Sequence, residues 1–344
     1  MNYREFFKQI DQLRGAVLFS GEEEYAKQEA LKALRKRHLP PGMEALNETV
    51  LEGAIDFATL ESSCETLPFM GDVRLVVVKD SPLVSSQAKG SVDQALAEDL
   101  CQYLPNLPEH SILVFYVHGA VDKRKKLTQA IAAMDRAVDF PMLTEGEALG
   151  WAGKYCAAAG KKLEPAAGRK LIEIAGRLLQ DVKDGLDKAM AYAGERDSIA
   201  ANDIDQVVMP TPEYRGYEMA SSLLEGNEAR TLAMIKQLLL DGEKAISLLA
   251  SIERAVQQHL SVKLMLDDRR EMSQIASALG LPQGAVRAIS FRARRMDAGR
   301  LMDALEVCSK ANLAMRTTAS SEDMALSRLY ISVFKLMEGM AAKA

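Results

Sequence analysis

The sequence predicts a parallel α/β domain followed by two helical domains, and three observations support this fold class. Short apolar runs alternate with helical stretches over the first 140 residues, which is the pattern of a parallel sheet. After residue 141 these runs disappear, and apolar residues recur instead every three or four positions. Pro210, Thr211 and Pro212 then indicate a linker. We therefore expect domains over residues 1–141, 142–210 and 211–344.

Four apolar runs are predicted to be strands of the sheet, at residues 16–19, 75–78, 112–117 and 137–140. They are nearly continuous in apolar residues, as strands buried on both faces are. A helix is expected after the turn at Ser20 and Gly21, and further helices over residues 54–64 and 92–104.

Apolar stripes predict the helices of the remaining chain. One helix is expected across Leu171, Ala175, Leu178, Val182, Leu186 and Ala189. Two longer stripes predict a helical bundle in the third domain, namely Leu248, Ile252, Val256, Leu260 and Leu264, and Leu326, Leu329, Val333, Leu336 and Met340.

The net charge and the positions of cysteine and histidine residues exclude several classes of protein. The net charge of −5 argues against a domain that coats nucleic acid over its whole surface, so any DNA contact must be a local patch. The four cysteines are far apart without a CxxC pair, which argues against a zinc ribbon or a disulfide scaffold. The four histidines show no metal spacing and no triad partner. With no signal-peptide pattern and no run of about 18 apolar residues, we expect a cytoplasmic protein without metal or membrane contact.

The turn after the first predicted strand lies where a phosphate-binding loop would be. Such a loop needs G-x-x-x-x-G-K-[ST], whereas residues 21–28 read GEEEYAKQ. Ala26 replaces a glycine, Gln28 replaces the hydroxyl, and three glutamates would repel a polyanion. The second predicted strand, residues 75–78, is followed by Lys79. In a working nucleotide site an acidic residue at this position would bind Mg²⁺. We expect a degenerate nucleotide site with no cofactor and no ATP hydrolysis; the alternative is an α/β domain unrelated to nucleotide binding.

Four segments, in order along the chain, carry a family resemblance. They are residues 67–78 (LPFMGDVRLVVV), 121–127 (VDKRKKL), 176–192 and 271–286. The ordered set resembles the bacterial DNA polymerase III delta subunit family, although Gly185 and Ala189 stand where that family usually has Glu and Leu. The resemblance implies an AAA+-like domain, a helical lid and a C-terminal collar. It also implies a non-catalytic clamp-loader subunit that opens the sliding clamp (beta) for loading onto primed DNA.

Leu67, Phe69 and Met70 are the candidate clamp-binding residues. Pro68 restricts the backbone and Gly71 begins a turn signal, so Phe69 and Met70 are expected on an exposed loop at a helix end. The alternative is that Phe69 folds back into the local core. The resemblance implies instead that the loop binds the clamp as an apolar plug.

The densest basic run is Lys123, Arg124, Lys125 and Lys126. These residues are candidates for contact with DNA phosphates or with a neighbouring loader subunit, the alternative being a solvated helix start.

Residues 272–295 have the apolar spacing of a helix-turn-helix, with Arg287, Arg292, Arg294 and Arg295 in its second half. Taken alone, this element predicts a DNA-binding regulator, which is the alternative function. The resemblance implies instead a collar hairpin that packs against other loader subunits.

Overall fold

The computed structural model describes residues 1, 3–86, 94–281, 283–317 and 322–341. The chain forms two compact units, Met1–Val208 and Met209–Ala344. The first unit contains the sheet and a helical segment after it, and the second is helical throughout its described residues. The predicted division of the first unit at residue 141 stays a prediction. Within the described residues, no helix is both long enough and apolar enough to cross a membrane.

A five-stranded parallel sheet organises the first unit, in the order β2-β3-β4-β1-β5. Its strands are β1 (Gly15–Ser20), β2 (Glu48–Glu52), β3 (Arg74–Lys79), β4 (Ser111–Tyr116) and β5 (Ala137–Asp139). The helices around it are α1 (Tyr3–Gln9), α2 (Glu24–His38), α3 (Glu44–Asn47), α4 (Phe57–Glu65), α5 (Gln94–Tyr103) and α6 (Lys126–Ala133). The predicted helix 92–104 corresponds to α5, and its residues 92 and 93 lie outside the described residues.

Both faces of the sheet are buried, which explains the continuous apolar runs. Side chains alternate between faces along a strand, so Val17 and Phe19 pack in one core while Ala16 and Leu18 pack in the other. A strand covered on both sides must be apolar at every position. The four strands predicted from such runs are confirmed as β1, β3, β4 and β5.

Strand β2 was not predicted from the sequence. It pairs with β3 at the edge of the sheet, and none of its five residues is fully buried. Its sequence, ETVLE, begins and ends with glutamate, and Val50 is 48% exposed. An edge strand tolerates charge because part of its surface faces water, and this removes the apolar signal that marked the other strands.

The helical segment of the first unit consists of α7 (Glu145–Ala158), α8 (Pro165–Ala175), α9 (Leu179–Ala193) and α10 (Ala201–Val207), with short strands β6 (Lys162–Leu163) and β7 (Ser198–Ile199) paired in parallel. The sequence did not indicate these two strands, which have only two residues each. One expectation was wrong. The single stripe expected from Leu171 to Ala189 belongs to two helices, because Gly176 has φ +82° and ends α8.

The second unit is a bundle of seven helices among its described residues. They are α11 (Pro212–Leu224), α12 (Glu228–Leu240), α13 (Ala245–Asp267), α14 (Met272–Leu279), α15 (Gln283–Ala293), α16 (Ala298–Thr317) and α17 (Glu322–Ala341). Leu248, Ile252 and Val256 are buried as the stripe on α13 predicts, whereas Leu264 is half-exposed near its end. The predicted fold class, a parallel α/β domain followed by helical segments, is confirmed.

Candidate functional site

The loop between α4 and β3 carries three large apolar side chains in contact with solvent. Leu67 is 76% exposed, Phe69 is 52% exposed and Met70 is 74% exposed. The structure therefore places Phe69 outside the local core. Together these neighbouring side chains form an exposed apolar patch. Such patches are typical of protein-binding surfaces, whereas an ordinary surface loop is mostly polar.

The buried side chain of Asn47, the last residue of α3, holds this loop. Its Oδ1 accepts a hydrogen bond from the Phe69 backbone N–H at 2.6 Å, and its Nδ2 donates to the Phe69 carbonyl at 2.9 Å. Arg74, at the start of β3, donates to the Leu46 carbonyl at 2.7 Å and so joins the same two segments. Sequence reasoning missed Asn47, because a single asparagine at the end of a short helix has no distinguishing pattern.

The turn after β1 lies where a phosphate-binding loop would begin, but backbone occupies its space. Gly21 has φ +117°, a conformation open to glycine, and its N–H donates to the Gly119 carbonyl at 2.8 Å. A Cβ at Gly21 would overlap the Phe140 carbonyl oxygen. The glycine is thus required by close contact between backbone segments of the protein itself.

Lys27, at the position of the phosphate-binding lysine, is fully buried and bonded within the protein. Its Nζ donates to the Val117 carbonyl at 2.6 Å and lies 2.9 Å from Glu24 Oε2. The same atom lies 5.3 Å from the centre of the Tyr116 ring. An ammonium held by a carbonyl, a carboxylate and an aromatic face is not directed at a ligand.

The three glutamates after Gly21 separate in the structure rather than forming one acidic cluster. Glu22 is exposed, whereas Glu23 is buried and accepts hydrogen bonds from the Leu179 N–H at the start of α9, at 3.2 and 3.3 Å. Burial raises the pKa of Glu23, and the bond from Leu179 offsets part of that rise. Glu23 therefore caps the N-terminus of α9 with a side chain of the protein itself.

Glu24 has different partners from Glu23, at and just beyond the carboxyl end of β4. It accepts a hydrogen bond from the Tyr116 hydroxyl and pairs with Lys27. Burial would raise the pKa of Glu24, but the bonds from Tyr116 and Lys27 outweigh it and hold that pKa below its usual value.

At the end of β3, the structure joins residues that the sequence left unconnected. His118 Nδ1 lies 2.6 Å from Asp80 Oδ2, and His118 Nε2 lies 3.4 Å from Glu24 Oε1. The histidine therefore has carboxylate partners on both sides, which the sequence did not reveal. Burial opposes ionisation of Asp80, but two hydrogen bonds from His118 outweigh it and lower the pKa. In the described part of the chain, no group of three or more such side chains could hold a metal ion.

The basic run at residues 123–126 divides into engaged and exposed members. Lys125 donates to the Pro82 and Ser85 carbonyls at 2.6 and 2.7 Å, and Lys126 pairs with Glu98 at 2.5 Å. Lys123 is exposed, and Arg124 remains 91% exposed while it bonds to Asp122. These contacts leave Lys123 and Arg124 as the members of the run most open to a partner.

Residues 272–295 form a helical hairpin, α14 and α15, and Pro282 between them lies outside the described residues. Ile275, Val286 and Ile289 share a small core with the end of α13. Of the four arginines, Arg292 faces the bundle, where it donates to Ser221 Oγ of α11 at 2.6 Å and pairs with Glu225, the residue after α11, at 2.6 Å. The other three arginines are exposed.

Comparison with known proteins identifies the family. The family model "DNA polymerase III, delta subunit" matches residues 18–140, and "DNA polymerase III delta subunit, C-terminal domain" matches residues 213–333. The chain belongs to the DNA polymerase III delta subunit family. The family that the sequence motifs indicated is thereby confirmed.

Individual members of the family match along almost the full chain. A Bacillus subtilis (strain 168) DNA polymerase III subunit delta is 22% identical over 322 residues, which cover 92% of each chain. The solved structure of the Bacillus subtilis DNA clamp loader delta protein superimposes with a TM-score of 0.56 at 20% identity, covering 97% of this chain and 99% of that one. At this level of identity, the structural similarity shows a shared fold.

Proposed function

We propose that this delta-family chain works in a DNA polymerase III clamp loader, where it binds the sliding clamp and opens it for loading onto primed DNA. The observation that carries the proposal is the exposed loop with Leu67, Phe69 and Met70. Aromatic and methionine side chains that enter a partner's pocket contribute most of the affinity of many interfaces. Because the chain belongs to the delta subunit family, we propose the sliding clamp as the partner of this loop.

Opening would follow from differential binding. If the loop binds the open conformation of the clamp more tightly than the closed ring, binding shifts the population towards the open ring. No chemical step in this chain is then needed. The same family membership supports a role for residues 211–344 as the collar that packs against the other loader subunits.

We propose further that the chain does not hydrolyse ATP and is not an enzyme by itself. Lys27 is buried among protein groups, and Lys79 stands where a metal-binding acid would be needed. ATP would be hydrolysed by other loader subunits, and their conformational change would present this chain to the clamp. Lys123 and Arg124 are the basic residues that we propose for contact with DNA or a neighbouring subunit.

The alternative of a DNA-binding regulator is less well supported. Arg292 of the candidate recognition helix is bonded to α11 rather than free for phosphate contacts. Footprinting that revealed one preferred duplex sequence would support the regulator and count against the loader.

The test is clamp binding by the Phe69→Ala/Met70→Ala double variant, measured by calorimetry with the purified sliding clamp. We expect a loss of about 2 kcal/mol or more, roughly 30-fold in affinity. Tyr192→Ala is a matched control, since Tyr192 is also 52% exposed but lies on α9. Wild-type affinity in the double variant would rule out this loop as the clamp-binding element.

A further inference from the structure

The side chain of the asparagine at the end of α3 makes three hydrogen bonds, all of them to backbone. Its Oδ1 accepts from the Phe69 N–H, and its two Nδ2 hydrogens have acceptors in the carbonyls of Phe69 and Met43, at 2.9 and 3.1 Å. Asn47 is 0% exposed, so these bonds do not compete with water. The amide pairs with both polar groups of one residue, as a neighbouring strand would.

The next two residues of the loop are also constrained. Met70 has φ +51°, a conformation that costs free energy for any residue with a side chain, so it needs support from its surroundings. Gly71 packs against Pro40 so closely that an added Cβ would lie 2.7 Å from Pro40 Cγ. The backbone of residues 69–71 is therefore held from the side of α3, while the side chains of Phe69 and Met70 remain exposed.

Held backbone combined with exposed apolar side chains is the arrangement of a preorganised binding element. A loop that is already ordered does not lose backbone entropy when it binds, whereas a free loop must be ordered at the expense of affinity. We propose that Asn47 is a positioning residue for clamp binding, which acts through the Phe69 backbone and does not itself touch the clamp. This inference rests on the proposed function of the loop.

The first test compares Asn47→Ala with wild type in two measurements on the full chain. Hydrogen exchange of the Phe69 amide should accelerate, because its acceptor is removed. Affinity for the purified sliding clamp should fall by roughly 10- to 100-fold, the equivalent of one or two lost hydrogen bonds at the loop. Asn106→Ala is the matched control. The exposed side chain of Asn106 donates to the carbonyl four residues earlier, so its loss should change neither quantity.

A double-mutant cycle separates positioning from general destabilisation. If Asn47 acts through Phe69, then Asn47→Ala should weaken binding by about tenfold or more in the wild type but by less than about threefold in a Phe69→Ala background. An equal loss in both backgrounds, or wild-type affinity in Asn47→Ala itself, would overturn the inference. Failure of the proposed function gives a different result, namely unchanged binding in Phe69→Ala/Met70→Ala.

A second variant covers the case in which Asn47→Ala does not fold. Asn47→Asp keeps an acceptor for the Phe69 N–H but loses both bonds that Nδ2 donates. We expect weaker clamp binding than in wild type, while exchange of the Phe69 amide stays slow because its acceptor is kept. Wild-type clamp affinity in a folded Asn47→Asp chain would show that the Phe69 carbonyl bond does not matter, contrary to the inference.

Discussion

Replacing Lys27 by methionine tests whether this lysine, at the position of the phosphate-binding lysine, stabilises the folded protein. Methionine retains an unbranched apolar stem but has no ammonium, so it loses the hydrogen bond to the Val117 carbonyl and the ion pair with Glu24. A hydrogen bond to a charged group contributes about 1.5–3 kcal/mol. Glu24 keeps its bond from Tyr116, and the methionine buries well. We therefore expect a loss of about 2–4 kcal/mol in the free energy of unfolding of the first unit.

Urea unfolding followed by tryptophan fluorescence measures this change selectively. Trp151 is the only tryptophan of the chain, and it lies in the first unit in contact with Tyr25 of α2. With a slope of about 2 kcal/mol per molar urea, the midpoint should fall by roughly 1–2 M. Lys32→Met is the control on the same helix. The Lys32 side chain is 74% exposed, so its loss should cost less than about 0.5 kcal/mol.

Two results would refute the reasoning. A loss below about 0.5 kcal/mol in Lys27→Met would mean that the buried contacts of Lys27 contribute little to stability. Calorimetric titration of the wild-type chain with ATP should give no binding heat. Binding that disappears in Lys27→Met, with stability unchanged, would show instead that this lysine still serves a nucleotide.

Two further substitutions probe the same turn. Folding raises the pKa of Glu23 above its usual value of 4.5, so the folded state retains this proton at pH values where the unfolded chain has lost it. The contribution of Glu23 to stability is therefore greatest below pH 4.5 and falls as the pH rises through the raised pKa. Glu23→Gln should become more stable relative to wild type as urea midpoints are measured from pH 4.5 to 7; a constant difference would contradict this. Gly21→Ala should cost about 3 kcal/mol, because its Cβ would overlap the Phe140 carbonyl. Gly15→Ala is its control, with φ +77° but open space around the Cβ, and equal losses in both variants would show that the overlap is relieved.

The buried part of the sheet was predictable because buried strand positions carry apolar residues. Four of the five strands of the main sheet have apolar side chains on both faces, and their positions were predicted to within one or two residues. The break between α8 and α9 was missed for the opposite reason. Apolar spacing continued across it, while Gly176 alone marked the change of direction.

At the candidate site, the sequence predicted residue types better than contacts. The missing glycine, hydroxyl and metal-binding acid were visible at positions 26, 28 and 79, since each depends on one residue at one spacing. The partners of Lys27 and Glu23 were not visible. Val117 and Leu179 lie 90 and 156 residues away, and no local pattern specifies such pairs.

By itself, the sequence determined the apolar strands, the helical second half, the departures from the phosphate-binding motif and an apolar loop at Leu67, Phe69 and Met70, because each of these is a local pattern of residue types. Only the tertiary structure decided that Lys27 and Glu23 are used inside the protein, and that Asn47 holds Phe69 in place. The physical reason is that buried polar groups must find partners wherever the fold brings them, and those partners come from distant strands and helices.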